Sequence, residues 1–282
     1  MSAPLAGEVV VVTGGGSGIG AALATRAAAD GARAVAVVDR DEVAARRVAD
    51  LIGETARAHR CDVADPEDVA AVLDAVAQTS GPVDAVFSNA GITTGLGVLG
   101  GEGDALAAWN DSWSVNVMAH VHLARAVLPG MVERGHGRFV VTASAAGLLM
   151  APGDAPYTVT KHAAVAFAEY LSVHYGSVGV QVAALCPMGV ATPLLMDPLA
   201  AGDPAAAAVA ASGPIIDAEL VAEATVAALA EGRFLVLPHP EVARFWAGKA
   251  ADPDRWLAGM RRLTAAPVAR PVTGSTPDAD AR

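Results

Sequence analysis

A doubly wound parallel α/β sheet is the fold class predicted by three features of the chain. Short extended runs alternate with alanine-rich helical segments, strands such as Val9-Val10-Val11-Val12 are nearly continuously apolar, and a glycine-rich turn joins the first strand to the first helix. Residues 8–13 form a β-branched run in which Val9-Val10-Val11-Val12 leaves no polar face, as expected of a strand covered on both sides. Thr13-Gly14-Gly15-Gly16-Ser17-Gly18-Ile19-Gly20 follows, residues 18–30 read as a helix, and 34–39 as the next buried strand, which completes one βαβ unit. A helix over 41–52, a strand over 57–61, a helix over 66–78 and a strand over 83–88 continue the alternation, so crossover helices join parallel strands. A long helix through Trp109 and Asn116, a strand over 137–142, a helix over 157–175 and a strand over 180–186 extend it.

The remaining segments depart from that rhythm. Between 192 and 213 the chain turns to Pro, Gly and Ala around Leu194, Leu195 and Met196, which predicts a mobile apolar lid over 193–213 rather than a rigid element. A helix over 217–230, a strand over 234–237, and a helix-like stretch from Pro238-His239-Pro240 to Arg262 form a C-terminal helical extension. Residues 1–264 are expected to be a single domain, and the aperiodic Pro, Thr, Asp and Ala of 265–282 a disordered tail.

Composition narrows the classes of function. A net charge of −11, with no run of Lys or Arg longer than a pair, lacks the phosphate-neutralising surface that nucleic-acid binding needs. No basic segment followed by an apolar one opens the chain, and no eighteen-residue apolar stretch follows, so a soluble, cytoplasmic protein without a membrane partner is expected. Alanine inflates the apolar fraction while adding little buried area per residue. Cys61 and Cys186 lie far apart in apolar surroundings and read as buried thiols. His120 and His122, two apart on a helix, point to different sides, and no histidine has ligand spacing, so no metal site is predicted. His162, beside Lys161, reads as a packing or surface residue.

The glycine run has a mechanical purpose. The chain must turn tightly from strand to helix, its backbone must approach a pyrophosphate closely, and the helix N-terminus then presents free N–H groups to the phosphates. A glycine cluster also occurs in ordinary turns, but this one follows a strand and opens a helix, as dinucleotide binding requires. Asp39 ends the second strand 19 residues after Gly20, where a carboxylate accepts from ribose hydroxyls and repels a 2′-phosphate, which favours NAD over NADP. Ser17 supplies no positive charge there, whereas Arg40 would pair with a 2′-phosphate or stand solvated on the surface.

Tyr157 and Lys161 are four apart, so both project from one helix face into the same volume. Alone, the pair would be a surface contact. Ser144 lies thirteen residues earlier, at the end of an apolar strand, where open α/β sheets hold their ligands. A tyrosine is a poor base at neutral pH, and an ammonium beside it would favour its phenolate, so the group suits hydride transfer to or from a secondary alcohol.

With these residues in view, the chain resembles the short-chain dehydrogenase/reductase family, in its compact single-domain branch. The resemblance spans about 9–192 and rests on the loop 13–20, Asp62-Val63, Asn89-Ala90-Gly91, Asn116, Ser144, Tyr157 and Lys161. It implies a Rossmann fold and a homo-oligomer, dimer or tetramer, paired through the long helices. By resemblance Tyr157 is the general acid/base, and Lys161 lowers its pKa and holds the nicotinamide ribose. Ser144 orients the substrate oxygen, and Asn116 supports a proton relay. Asp62 and Val63 would contact adenine, and Asn89 to Gly91 would run along the cofactor. Pro187, Gly189, Val190 and Thr192 match the segment that fixes the nicotinamide amide.

Three positions depart from the family pattern. Ser88 stands where a second Asn is more usual, Met188 replaces a glycine and either narrows the substrate pocket or packs, and Pro238-His239-Pro240 replaces a glycine-rich turn used in assembly. Phe245, Trp246, Trp256, Leu257 and Met260 would dock on the body, cover the substrate mouth or contact a neighbouring subunit. Met150, Met188 and Leu194-Leu195-Met196 favour an apolar or cyclic alcohol or ketone. Two further functions stay open: an NADPH-dependent biosynthetic ketoreductase, and a non-catalytic NAD-sensing or scaffold protein.

Overall fold

Val9–Thr13 forms β1 with every residue buried, Val9 and Val11 facing one core and Val10 and Val12 the other. The computed structural model describes residues 3–95, 97–98 and 105–264, so the expected tail at 265–282 lies outside the described residues. The strands β2 (Ala34–Asp39), β3 (Ala56–Arg60), β4 (Ala85–Ser88), β5 (Gly137–Thr142), β6 (Val180–Leu185) and β7 (Leu235–Val236) join β1. All pair in parallel in the order β3-β2-β1-β4-β5-β6-β7. Strand order reverses at β1, which lies between β2 and β4, so the ligand crevice of such a sheet falls at the carboxyl ends of β1 and β4.

Helices cover both faces. α1 (Gly18–Ala29), α2 (Glu42–Ile52) and α9 (Ala218–Ala230) pack on one side, and α3 (Pro66–Ser80), α5 (Ala119–Arg134) and α6 (Ala155–Tyr175) on the other. Polar caps set their starts: Asp41 accepts from Val43 and Ala44 N–H, Asp65 from Glu67, and Asp154 from Tyr157. Cys61 and Cys186 are free and buried. No helix among the described residues is long and apolar enough to cross a membrane.

Four stretches differ from the sequence expectation. The long helix is interrupted: α4 (Ala105–Trp113) passes through a π-helical turn, Ser114–Met118, into α5, and Asn116 sits in that turn. Such turns add a residue to a helix and often mark functional sites. The segment 193–213 is helical rather than irregular, as α7 (Pro193–Ala200) and α8 (Pro204–Ser212). Proline at the first helical position starts both, Asp203 caps α8 through Ala206 N–H, and alanine propagates it. The last strand has two residues instead of four, because Pro238 has no N–H to continue the ladder. The C-terminal stretch divides into α10 (Pro240–Ala251) and α11 (Pro253–Leu263) at Asp252, whose side chain caps α11 through Arg255 N–H.

Candidate active site

The glycine loop closes the carboxyl end of β1. Gly14 has φ +63°, and a Cβ there would lie 2.9 Å from Ala90 Cα; one at Gly20 would run into the Gly14 carbonyl and approach Asn89 Nδ2 to 2.7 Å. Thr13 fastens this turn to β4, its hydroxyl accepting from Asn89 and Ala90 N–H while Asn89 Nδ2 donates to its carbonyl. Asp39 Oδ2 accepts from Gly16 N–H at 3.0 Å and Oδ1 from Asp41 N–H at 3.0 Å, which places the carboxylate at the lip of the loop. Ser17 caps α1 without a side-chain hydrogen bond, so the first-turn N–H groups are open to an anion. A dinucleotide fits this cradle, since a Cβ would fill the positions where its backbone must come close.

Other predicted cofactor residues line the same edge. Thr192 lies against Gly18, where a Cβ would come within 2.9 Å of its methyl carbon, so the 187–192 segment meets the glycine loop. Asp62 is exposed and accepts from Ala64 N–H, Val63 is buried beneath it, and Arg40 is exposed beside Asp39.

The four predicted catalytic side chains converge beyond β4 and β5. Ser144 and Tyr157 line one cavity, and Lys161 Nζ lies 5.5 Å from the Tyr157 ring centroid. Lys161 is buried and donates to the Thr142 carbonyl at 2.9 Å. Asn116, fully buried, accepts from Ile92 N–H and donates to the Ile92 carbonyl and to Thr160 Oγ1. Gly91 leaves the gap between these two: a Cβ there would lie 3.1 Å from Lys161 Nζ and 3.3 Å from Asn116 Oδ1. Ser144 also plays the strand-end role expected of a serine, capping a turn through Ala146 N–H.

Burial dominates the electrostatics of Tyr157 and Lys161. Burial pushes the Tyr157 phenol up to about 12, Asp154 and Cys186 adding to it, while the Ser144 hydroxyl pulls it down. Burial also pushes the Lys161 ammonium down to about 8. Burial thus opposes the charged form of both side chains, and the Ser144 hydroxyl is the neighbour that favours the phenolate.

The cavity beside these groups is about 620 Å³ and mostly apolar. Met150, Met188, and Leu194 and Leu195 of α7 line it, whereas Met196 is exposed and is not among its lining residues. Phe245, Trp256 and Met260 line the cavity as well, while Trp246 and Leu257 are exposed.

Two contributors, Asp154 and Lys249, went unnoticed in the sequence, and His120 was read there only as lacking ligand spacing. Asp154, 4% exposed, caps α6 at Tyr157 N–H and also accepts from Thr93 Oγ1, Thr94 N–H, Thr94 Oγ1 and Gly95 N–H, so it ties the loop after β4 to the helix that bears Tyr157. An Asp two residues before Pro156 was a legible cap signal. Lys249 of α10 donates to the Leu148 and Leu149 carbonyls at 2.8 Å, and its Nζ lies 3.5 Å from His162 Nε2; nothing in its sequence neighbourhood marks this. His120 is buried against the departing Ser88, its Nδ1 on Ser88 Oγ, and burial holds it down at about 3.

Comparison with known proteins agrees with this geometry. A family model described as short chain dehydrogenase matches residues 8–201. The chain is 38% identical over 190 residues to 2-(S)-hydroxypropyl-CoM dehydrogenase 3 of Xanthobacter autotrophicus, covering 66% of this chain and 73% of that protein. It is 37% identical over 193 residues to 2,5-dichloro-2,5-cyclohexadiene-1,4-diol dehydrogenase of Sphingobium indicum, covering 68% and 76%. Among solved structures, a short chain dehydrogenase/reductase from Burkholderia phymatum in complex with NAD superposes with TM-score 0.80 at 31% identity, covering 89% of this chain and 96% of that one. A structure from Beutenbergia cavernae with bound NADP at low occupancy gives 0.74 at 32%, covering 84% and 97%.

Proposed function

The chain belongs to the short chain dehydrogenase family, an NAD(P)-dependent enzyme acting on CH–OH groups, and from that premise we propose that it transfers hydride between NAD and an apolar or cyclic secondary alcohol or its ketone. One observation carries the proposal: Ser144 and Tyr157 share the wall of an apolar cavity, with Lys161 buried beside them. When bound, NAD supplies the acceptor or donor of the hydride. Tyr157 takes the alcohol proton or returns it to the ketone, and Ser144 holds the substrate oxygen while favouring the phenolate. Lys161, 5.5 Å from the Tyr157 ring, would hold the nicotinamide ribose and, when charged, would favour the Tyr157 phenolate. Asn116, anchored on Ile92 and Thr160, fixes the entrance of a proton path to Lys161.

The Asp39 carboxylate supports NAD over NADP, since its two oxygens line the lip of the loop where a 2′-phosphate would be repelled. Exposed Arg40 is the observation that favours an NADPH-dependent ketoreductase instead. We take the enzyme to act in the cytoplasm as a homo-oligomer, with Val159, Tyr170 and Val173 of α6 exposed for pairing. The deciding experiment follows reduced-nicotinamide absorbance with NAD and NADP side by side, across secondary alcohols of graded size, in the wild type and Asp39→Ala. Faster turnover with NAD, lost as a preference in the variant, is expected; a preference for NADP in the wild type means that Arg40 prevails.

A further inference from the structure

His239 lies outside the cavity and outside every motif of the family resemblance, yet its side chain is 1% exposed and both ring nitrogens are engaged. Met188 N–H donates to its Nδ1 at 3.1 Å, and its Nε2 donates to the Gly189 carbonyl at 2.9 Å. A backbone N–H only donates and a carbonyl only accepts, so the ring is the neutral tautomer with its proton on Nε2.

The place of this ring in the sheet gives it a purpose. The β6–β7 ladder runs Ala184 N–H to the Phe234 carbonyl and Cys186 N–H to the Val236 carbonyl. Pro238 then ends β7, and His239 turns the chain into α10 as its N-cap residue. The next donor along that edge, Met188 N–H, is taken by the imidazole in place of a carbonyl. One ring thus acts as an acceptor and a donor where the strand has stopped. The segment it grips is held elsewhere by Ala145 N–H on the Pro187 carbonyl and by Ile216 N–H on the Gly189 carbonyl, and it ends at Thr192 against Gly18.

We propose that His239 is a positioning residue that stands in for a missing strand, fixing the Pro187–Met188–Gly189 backbone so that Val190 and Thr192 receive the nicotinamide half of the cofactor. The proposal rests on the reading of 187–192 as the nicotinamide segment. The glycine loop would hold the other half of the dinucleotide, and neither hydrogen bond of the ring goes to it.

The test uses the full chain and two ligands: NADH, and ADP-ribose, which lacks the nicotinamide. Dissociation constants are measured for the wild type, His239→Phe and His239→Gln, with thermal unfolding alongside. His239→Phe fills the space without the hydrogen bonds and is expected to weaken NADH by about tenfold, the loss of one or two buried hydrogen bonds, while ADP-ribose stays within about twofold. His239→Gln, whose amide also accepts and donates, is expected to recover most of the NADH affinity. Should His239→Phe fail to fold, His239→Asn, too short to span both groups, carries the same comparison. Equal weakening of both ligands, or NADH affinity unchanged in the variant, overturns the proposal. A wild type that binds ADP-ribose but gains nothing from the nicotinamide of NADH overturns the reading of 187–192 itself.

Discussion

Tyr157 is held against ionisation by its own surroundings, with the phenol at about 12, so at neutral pH the protonated form dominates. Proton abstraction from an alcohol needs the phenolate, which grows as pH rises, whereas ketone reduction needs the phenol, which is spent as pH rises. Oxidation is therefore expected to accelerate with pH and reduction to slow, and rates measured in both directions across pH 6–10 check the sign (about one decade per pH unit at most). Lys161 gives a separate signal in stability. Its folded value of about 8 lies below its ordinary 10.5, so the unfolded chain binds more protons between those values and the Lys161 contribution to stability rises with pH across that window. Urea unfolding of wild type and Lys161→Met at pH 7.5 and pH 10 reads this, and the advantage of the variant is expected to shrink at the higher pH. Ser144, Tyr157 and Lys161 were legible because their spacing places them at a strand end and on one helix face, whereas Asn116 was marked only by the family resemblance. The raised phenol was not, because desolvation depends on what the fold packs around a group.

Elements explain why Asp154 and Lys249 escaped notice while the strands did not. β1, β2, β4, β5 and β6 announce themselves through apolar runs expected of strands covered on both faces, and α2 and α3 through periodicity and Asp caps. The π-helical turn at Ser114–Met118 has no such mark, since inserting one residue into a helix leaves local composition unchanged. The helices α7 and α8 were missed because Pro and Gly read as loop, although Pro at a first helical position starts a helix. Asp154 joins the loop after β4 to α6 through five hydrogen bonds, one from nearby Tyr157 and four from Thr93, Thr94 and Gly95, which are distant in sequence. Asp154→Ala is expected to cost roughly 2–4 kcal/mol of stability, from one lost cap and several buried donors left unpaired, and to lower kcat/KM by shifting Tyr157; denaturant unfolding and kinetics measure the two. α10 and α11 wall the cavity, so Trp256→Ala is expected to raise KM for bulky alcohols several-fold more than for small ones, with kcat little changed.

The whole molecule sets two neighbouring sites along the carboxyl edge of one parallel sheet. At the carboxyl ends of β1 and β4 the cradle from Gly14 to Gly20 suits a dinucleotide, and at the ends of β4, β5 and β6 the cavity suits its reaction partner. A ligand bound only by the folded chain stabilises it by mass action, so NAD at a hundred times its dissociation constant is expected to raise Tm by roughly 5–10 °C, and NADP at equal concentration by less. The overall fold was legible since a regular βαβ alternation leaves few topologies, but the closure of the cavity by the C-terminal helices was left among three options, because apolar side chains specify burial and not the surface that buries them. The central claim is that Tyr157 performs the proton transfer while NAD takes or gives the hydride. Reduced-nicotinamide absorbance with NAD and a secondary alcohol, compared between the wild type and Tyr157→Phe with NAD binding measured in both, tests it directly. Turnover in the wild type that falls at least about a hundredfold in a variant still binding NAD is the expected result; a variant that binds NAD and turns over as fast as the wild type would contradict the account.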